Sequence, residues 1–152
     1  MDWFAKAFLK GSLGWLVAGI TLGVAMGIHP VWTVYRVAHM HMVLLGFVAM
    51  MIYGVAYHVV PRFTGFPLYS HRAPTWHWWM SNVGLALMAV GFGGVANATR
   101  WGTPMVSLGG TLSALGGYTF AYVLWRTMDG PAALRVAAAR AHGSRPGLPV
   151  KS

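Results

Sequence analysis

Residues 37–60 read VAHMHMVLLGFVAMMIYGVAYHVV, a run of 24 residues that contains no Asp, Glu, Lys or Arg. About 20 consecutive apolar residues are enough for an α-helix to cross the hydrocarbon core of a bilayer. Comparable apolar blocks occupy about residues 11–28, 76–97 and 104–126. The sequence therefore predicts an all-α integral membrane protein, with a bundle of four transmembrane helices in residues 1–127.

The overall composition agrees with a membrane protein. Of the 152 residues, 57% are hydrophobic and 9% are charged, whereas about a quarter of the residues of a soluble domain are charged. The formal net charge is +9, but the cations lie mainly outside the apolar blocks, as topology signals do, so no nucleic-acid partner is expected. The chain has no cysteine, which excludes disulfides, thiolate ligands and a covalently attached heme.

The distribution of Lys and Arg predicts the topology. Nine of these residues fall in the N-terminal segment, the second connection and the C-terminal tail, while Arg36 and Arg100 fall in the other two connections. Cytoplasmic segments carry the excess of Lys and Arg. Both termini are therefore expected in the cytoplasm, with the protein in the cell (inner) membrane. Residues 128–152 are expected to form a basic cytoplasmic tail, partly disordered, with one short helix around residues 132–141.

Glycines mark the faces where helices are expected to pack closely. Small residues let transmembrane helices approach each other. Three glycines recur every fourth residue in the first apolar block, four occur in the fourth block, and three occur in the third: Gly19, Gly23 and Gly27; Gly109, Gly110, Gly116 and Gly117; Gly91, Gly93 and Gly94. Those of the third block either bring helices together or make room for a flat cofactor.

Two of the seven histidines lie at membrane depth. His39 and His41 fall in the outer third of the second block, and at about 100° per residue they point about 200° apart, so they face different neighbours. His29 lies near the outer surface, His58, His71 and His77 lie on the inner side, and His142 lies in the tail. His58 and His77 are expected to be interfacial residues. A histidine at membrane depth needs a partner, either a hydrogen-bonding neighbour or a cofactor.

Heme is the cofactor that suits an imidazole held in an apolar helical bundle. The expected axial ligand of the heme iron is His41, with His39 as the second candidate. Met26 or Met105 could fill the other axial position. A neighbouring helix is expected to orient the second ring nitrogen of His41, and three side chains lie at a suitable depth for this: Thr33, Asn97 and Thr99. A zinc or copper site has less support, because no His-x3-His pair is present.

A family resemblance rests on two runs in the second block, RVAHMHMVLLGF (residues 36–47) and YGVAYHVVPR (residues 53–62). These runs resemble the second helix of subunit I in the heme-copper oxidase superfamily, and most of all the branch that holds the nitric oxide reductase large subunit and the C-type oxidases. In that family a His-x-Asn-Leu-Leu pattern carries an axial ligand of the low-spin heme. The resemblance places His41 on that ligand, while Val43 occupies the position where the family often has Asn. A weaker similarity covers residues 78–84.

The resemblance implies a reduced relative of subunit I. A full subunit I has many more helices and a later histidine cluster for its active-site metal, so this chain is not expected to be catalytic alone. The expected function is b-type heme binding for electron transfer or for sensing NO, O2 or CO in respiratory metabolism. Expected partners are the lipid bilayer and either a second copy of the chain or a respiratory complex. The alternative is a cofactor-free accessory or assembly subunit of such a complex.

Overall fold

The computed structural model describes residues 1–131, which form four helices and no strand. Helix α1 is Trp3–Ile28, α2 is Pro30–Thr64, α3 is Ala73–Ala96 and α4 is Gly102–Asp129. The prediction of an all-α fold with four helices is confirmed. Three of them, α1 to α3, are long and apolar enough to cross a membrane. The predicted tail helix and the predicted disordered end lie outside the described residues.

Helix α1 begins at Trp3, well before the apolar block that predicted it. The early start follows from packing, because Phe4, Ala5 and Phe8 are all buried in the core. The side of the bundle where α1 begins also holds the loop between α2 and α3, since Phe4 packs on Tyr57 of α2 and on His71 of that loop. We call this the N-terminal side and the other end the opposite side.

Helix α2 changes its winding three times. It opens with a 3-10 turn over Pro30–Tyr35, continues as α-helix over Arg36–His41, widens to a π-helix over Met42–Ala49 and returns to α-helix over Met50–Thr64. The sequence predicted one regular helix here. The wide segment is centred on Gly46, where a Cβ atom would come within 2.6 Å of Trp15 of α1 and within 2.8 Å of Leu85 of α3. The π segment of helix α2 thus lies where the neighbouring helices approach it most closely.

Helices α3 and α4 make the closest backbone contact in the bundle. A Cβ atom on Gly109 would collide with the carbonyl oxygen of Gly84, and one on Gly91 would lie 2.7 Å from the backbone nitrogen of Val106. The helix-packing role expected for the glycines is therefore confirmed here. It is also confirmed for Gly19 and Gly23, which meet side chains of α2, and for Gly116, which meets His77 and Ser81 of α3. Gly94 instead meets Thr99 and Trp101 in the connection between α3 and α4. Among residues 1–131, no atom lies within 4 Å of an added Cβ on Gly27, Gly110 or Gly117, so no described helix packs on them. The same holds for Gly93, for which room for a cofactor was the alternative.

Candidate functional site

His41 has one ring nitrogen engaged and the other available. Its Nδ1 lies 2.8 Å from the carbonyl oxygen of Val37. A carbonyl only accepts hydrogen bonds, so Nδ1 carries the hydrogen and Nε2 keeps its lone pair. The ring packs against Phe92 of α3, with centroids 4.7 Å apart. This is the neutral tautomer, oriented by a carbonyl, in which histidine binds metals.

The group that orients His41 differs from the expectation. Thr33, Asn97 and Thr99 were expected to supply it from neighbouring segments, and this is wrong. Asn97 donates to the hydroxyl of Tyr35 and to the carbonyl of Gly93, while Thr99 donates to the carbonyl of Gly94. The carbonyl of Val37 lies one turn earlier in the same helix, so it is in reach of His41 without any contribution from another segment.

His39 faces α1. Its Nδ1 donates to the carbonyl oxygen of Gly19 at 2.9 Å, and its ring lies 3.0 Å from where a Cβ of Gly23 would be. The two histidines therefore contact different helices, in agreement with their angular separation. His39 makes a hydrogen bond between α1 and α2, whereas the hydrogen bond of His41 stays within α2.

A groove of about 470 Å³ runs between α2, α3 and α4. Leu45 and Tyr53 line it from α2 and Met88 lines it from α3; the remaining wall is formed by Gly110, Ser113, Ala114, Gly117 and Tyr118 of α4. Since neither Gly110 nor Gly117 has a neighbour within 4 Å of an added Cβ, the α4 wall is low and flat. The result is an apolar slot that is open on one side.

The π segment changes the direction of His41 relative to Tyr53. Over the twelve steps from His41 to Tyr53, an uninterrupted α-helix at about 100° per residue would leave the two side chains about 120° apart. The eight-residue π segment turns by only about 82° per residue, which brings them to within about 25° of each other. His41 thus continues the stripe of Leu45 and Tyr53, and its partner Phe92 lies one turn beyond Met88. His41 is not itself part of the groove lining and lies one turn of α2 beyond Leu45, toward the opposite side.

The aliphatic, aromatic and glycine residues that line this slot suit one face of a heme. The free Nε2 of His41, one turn of α2 from Leu45, is a suitable axial donor. The described lining includes no histidine, and neither Met26 nor Met105 is part of it. Met88 is the methionine in the groove, and its sulfur accepts a weak hydrogen bond from Ser113 at 3.8 Å. Within residues 1–131, no group of three His, Asp or Glu residues is placed to hold a metal ion.

His77 is not interfacial, so that expectation is wrong. It is 0% exposed and lies among four aromatic rings, those of Phe8, Tyr53, Tyr57 and Phe120. Its position beside several tryptophans suggested the membrane surface. The signal that could have identified it as buried is the spacing of the small or packed residues that follow on the same face of α3: Ser81, Gly84, Met88 and Gly91.

Three further histidines lie nearer to the two ends of the bundle. Nδ1 of His58 is 2.9 Å from the guanidinium of Arg62. His71 is exposed in the loop between α2 and α3, and His29 packs on Trp32 near the start of α2. His142 lies outside the described residues.

Sequence comparison identifies the family. The family model for cytochrome c and quinol oxidase polypeptide I matches residues 3–107. The chain belongs to this family. The match includes α1, α2 and α3 and the start of α4, so it extends well beyond the residues 36–62 that carried the resemblance. The expected membership of the heme-copper oxidase superfamily is confirmed, and the assignment to the nitric oxide reductase or C-type branch stays a prediction.

A curated relative shows how much of a subunit I this chain represents. It is 29% identical to "Cytochrome c oxidase subunit 1" of Rhodobacter capsulatus over 122 residues, an alignment that covers 64% of this chain and 23% of the relative. The chain thus spans about a quarter of the length of that relative. Together with the apolar helices, the match makes this chain a multi-pass membrane protein related to oxidase subunit I.

Proposed function

We propose that this protein binds b-type heme, with His41 as an axial ligand of the iron. The observation that carries the proposal is the state of His41, whose Nδ1–H is held by the carbonyl of Val37 while Nε2 stays free, one turn of α2 away from Leu45, which lines an apolar groove. An imidazole at membrane depth is stabilised when its lone pair is bonded. His39 is the second candidate, and its contact with Gly19 makes it the less suitable one.

The proposed topology has four transmembrane helices and cytoplasmic termini in the inner membrane. Helix α4 has 28 residues and runs antiparallel along the whole of α3, because Gly116 packs near the start of α3 and Gly102 near its end. If α3 crosses the bilayer, α4 crosses it as well. The excess of Lys and Arg on the N-terminal side and in residues 128–152 supports the cytoplasmic placement of that side.

A partner chain is part of the proposal. The groove is open on one side, and its described lining includes no histidine that could act as a second ligand beside His41. A second axial ligand would therefore come from a second copy of this chain, which supplies the same surface by symmetry, or from a larger respiratory complex. When bound, the heme would supply reversible iron redox chemistry, and an open axial position would bind NO, O2 or CO. His41 would hold the iron, and Phe92 and Leu45 would keep water away from it.

An optical spectrum of the purified protein tests the heme. Wild type from heme-replete cells is expected to show a Soret band, with b-type α and β bands on reduction. His41→Ala should lose the band. His58→Ala and His71→Ala should keep it, since these two histidines lie on the N-terminal side of the bundle, away from His41. Full retention of the spectrum in His41→Ala would show that another residue binds the iron.

The competing function is that of a cofactor-free accessory subunit. Its support is the exposed glycine surface of α4, where Gly110 and Gly117 could receive a helix of a larger complex. The two functions differ in one measurement. A wild-type protein without Soret absorption that remains bound to oxidase subunits in mild detergent would favour the accessory subunit over the heme protein.

A further inference from the structure

A pocket on the N-terminal side of the bundle, which we call the N-terminal pocket, is lined by several nitrogen-bearing side chains. It has a volume of about 440 Å³ and lies between the start of α1, the end of α2 and the loop that follows α2. Arg62 and His58 line it from α2, and His71 lines it from the loop. The buried ring of Tyr57 also forms part of the wall. The pocket therefore combines one permanent positive charge with two imidazoles.

The contact between Arg62 and His58 fixes the state of both side chains. Nη1 of Arg62 lies 2.9 Å from Nδ1 of His58, and it also donates to the backbone carbonyl of the same residue. A guanidinium only donates hydrogen bonds, so Nδ1 is the acceptor and His58 carries its hydrogen on Nε2. Within residues 1–131, neither Nε2 of His58 nor Nη2 of Arg62 has a hydrogen-bond partner. Both residues thus have N–H groups available for a ligand of the pocket.

His71 adds a third donor group. Its ring packs on Phe4 of α1, with centroids 6.3 Å apart, and Phe4 is itself buried in the core. The ring nitrogens of His71 have no hydrogen-bond partner in the described part of the chain. A neutral imidazole offers one N–H and an imidazolium offers two. Helix α1 therefore positions this imidazole while its nitrogens stay available.

Asp2 is the acidic residue in the lining. Its side chain makes no capping hydrogen bond to α1, and among the described residues it forms no ion pair with Arg62, His58 or His71. The positive charge of the pocket is therefore not neutralised by a direct partner. The carboxylate of Asp2 repels an anion in the pocket, so this residue is expected to weaken anion binding.

The rest of the lining is mostly apolar, and it consists of Pro61, Gly65, Phe66, Pro67 and Leu68. Trp76, in the first turn of α3, is 68% exposed on the same side of the bundle. Exposed tryptophans at the ends of transmembrane helices mark the level of the lipid headgroups. The N-terminal pocket thus places hydrogen-bond donors and positive charge next to an apolar wall at the depth of the headgroups.

We propose that the N-terminal pocket binds the phosphate group of an anionic phospholipid. The guanidinium of Arg62 and the Nε2–H of His58 donate to phosphate oxygens, a geometry that suits the planar guanidinium, and His71 adds a further donor. The apolar wall contacts the glycerol and the upper part of an acyl chain. A soluble phosphate-bearing molecule shares the same anion chemistry, and the experiment below distinguishes the two sources. The inference needs no heme, so it holds or fails independently of the proposed function.

Titration of the purified full-length protein with three probes tests the site. The probes are dioctanoylphosphatidylglycerol, dioctanoylphosphatidylcholine and inorganic phosphate, and isothermal titration calorimetry in a maltoside detergent gives the dissociation constants. Low ionic strength is used because salt screens exposed charges. Wild type should bind the phosphatidylglycerol at least about tenfold more tightly than either other probe, because this lipid alone combines net negative charge with acyl chains.

Three variants locate the binding. Arg62→Gln should lose the preference for phosphatidylglycerol. Arg72→Gln is the matched control and should behave as wild type, since Arg72 is equally exposed on the same side but is not part of the lining. Asp2→Asn removes the repelling carboxylate and should tighten the binding by about threefold.

Each outcome decides. Equal losses in Arg62→Gln and Arg72→Gln, or equal binding of the two lipids by wild type, would overturn the proposal, because the attraction would then belong to the charge of the whole surface. Inorganic phosphate that binds as tightly as phosphatidylglycerol would overturn the lipid source and assign the site to a soluble phosphate. If Arg62→Gln does not fold, Asp2→Asn decides, since unchanged or weaker binding there would show that the anion does not enter the pocket.

Discussion

The two halves of α2 differ in how they are packed. In the half made of Met50–Thr64, Tyr57 is buried among aromatic side chains, and Gly54 lies against α1, with the carbonyl oxygen of Ala5 3.1 Å from an added Cβ. In the other half, residues 36–49, Leu45 lines an open groove, and His41, one turn away, keeps one ring nitrogen free. Residues 50–64 bury aromatic side chains, whereas residues 36–49 combine the close contact of Gly46 with Trp15 and Leu85 and the free imidazole nitrogen of His41. Residues 36–49 thus serve helix packing and, in the proposed function, ligand binding as well.

The largest effect is expected at the close contact between α3 and α4. Gly109→Val would push a side chain into the backbone of Gly84, and because backbone cannot move aside as a side chain can, the loss should be at least the about 1–3 kcal/mol typical of overpacking. The matched control is Gly110→Val, whose side chain would enter open space. Thermal unfolding in detergent, followed by tryptophan fluorescence, compares the two. Equal stability of the two variants would mean that α3 and α4 do not meet at Gly84 and Gly109.

The next effect concerns the π segment of α2, Met42–Ala49. Deletion of Val48, whose side chain is exposed, would let the segment continue as α-helix and leave His41 and Tyr53 within about 20° of each other, since eleven steps of about 100° close three turns. The heme spectrum should therefore survive the deletion. Insertion of one Ala after Val48 adds about 100° of rotation between His41 and Tyr53. The two side chains would then no longer share one face of α2, so the Soret band should be lost.

The two length variants also test the role of the π-helix. An insertion that keeps the full Soret band would show that the winding of residues 42–49 does not set the direction of His41. Loss of the band in both variants, with normal unfolding temperatures, would point to a requirement for the wide turn itself.

The smallest effect is expected at His39, which belongs to the contact between α1 and α2. His39→Ala removes the hydrogen bond to Gly19, a loss of about 0.5–1.5 kcal/mol by the usual value for one such bond, and should leave the Soret band in place. His29→Ala, which alters only a ring contact with Trp32, is the control. Denaturant unfolding gives the free energies. A lost spectrum with unchanged stability would make His39 a ligand.

The number of helices was predicted correctly, because it depends on the number and length of the apolar blocks. All four helices were predicted because each apolar block is long enough to need its own helix in a bilayer. The start of α1 was missed, because Phe4 and Phe8 are held in the helix by contacts with Tyr57. Such contacts join residues far apart in the chain, and hydropathy along the sequence does not describe them.

The prediction of the site was partial for a similar reason. The depth of His41 and the different directions of His39 and His41 follow from helical geometry, since the two residues are close in sequence and lie in one α-helical segment. The burial of His77 depends on rings supplied by α1, α2 and α4. A residue whose environment comes from other helices cannot be placed from its own neighbours in the sequence.

The sequence alone determined the membrane class of this protein, its four helices and its kinship with oxidase subunit I, because composition, apolar length and a local motif are properties of the chain itself. Only the tertiary structure decided which histidine is buried, which glycines touch a neighbour and where the π segment lies. Gly46 shows the physical reason: the space around it is set by Trp15 and Leu85, two residues of other helices. These contacts fall within the π segment of helix α2, and they join residues that are far apart in the sequence.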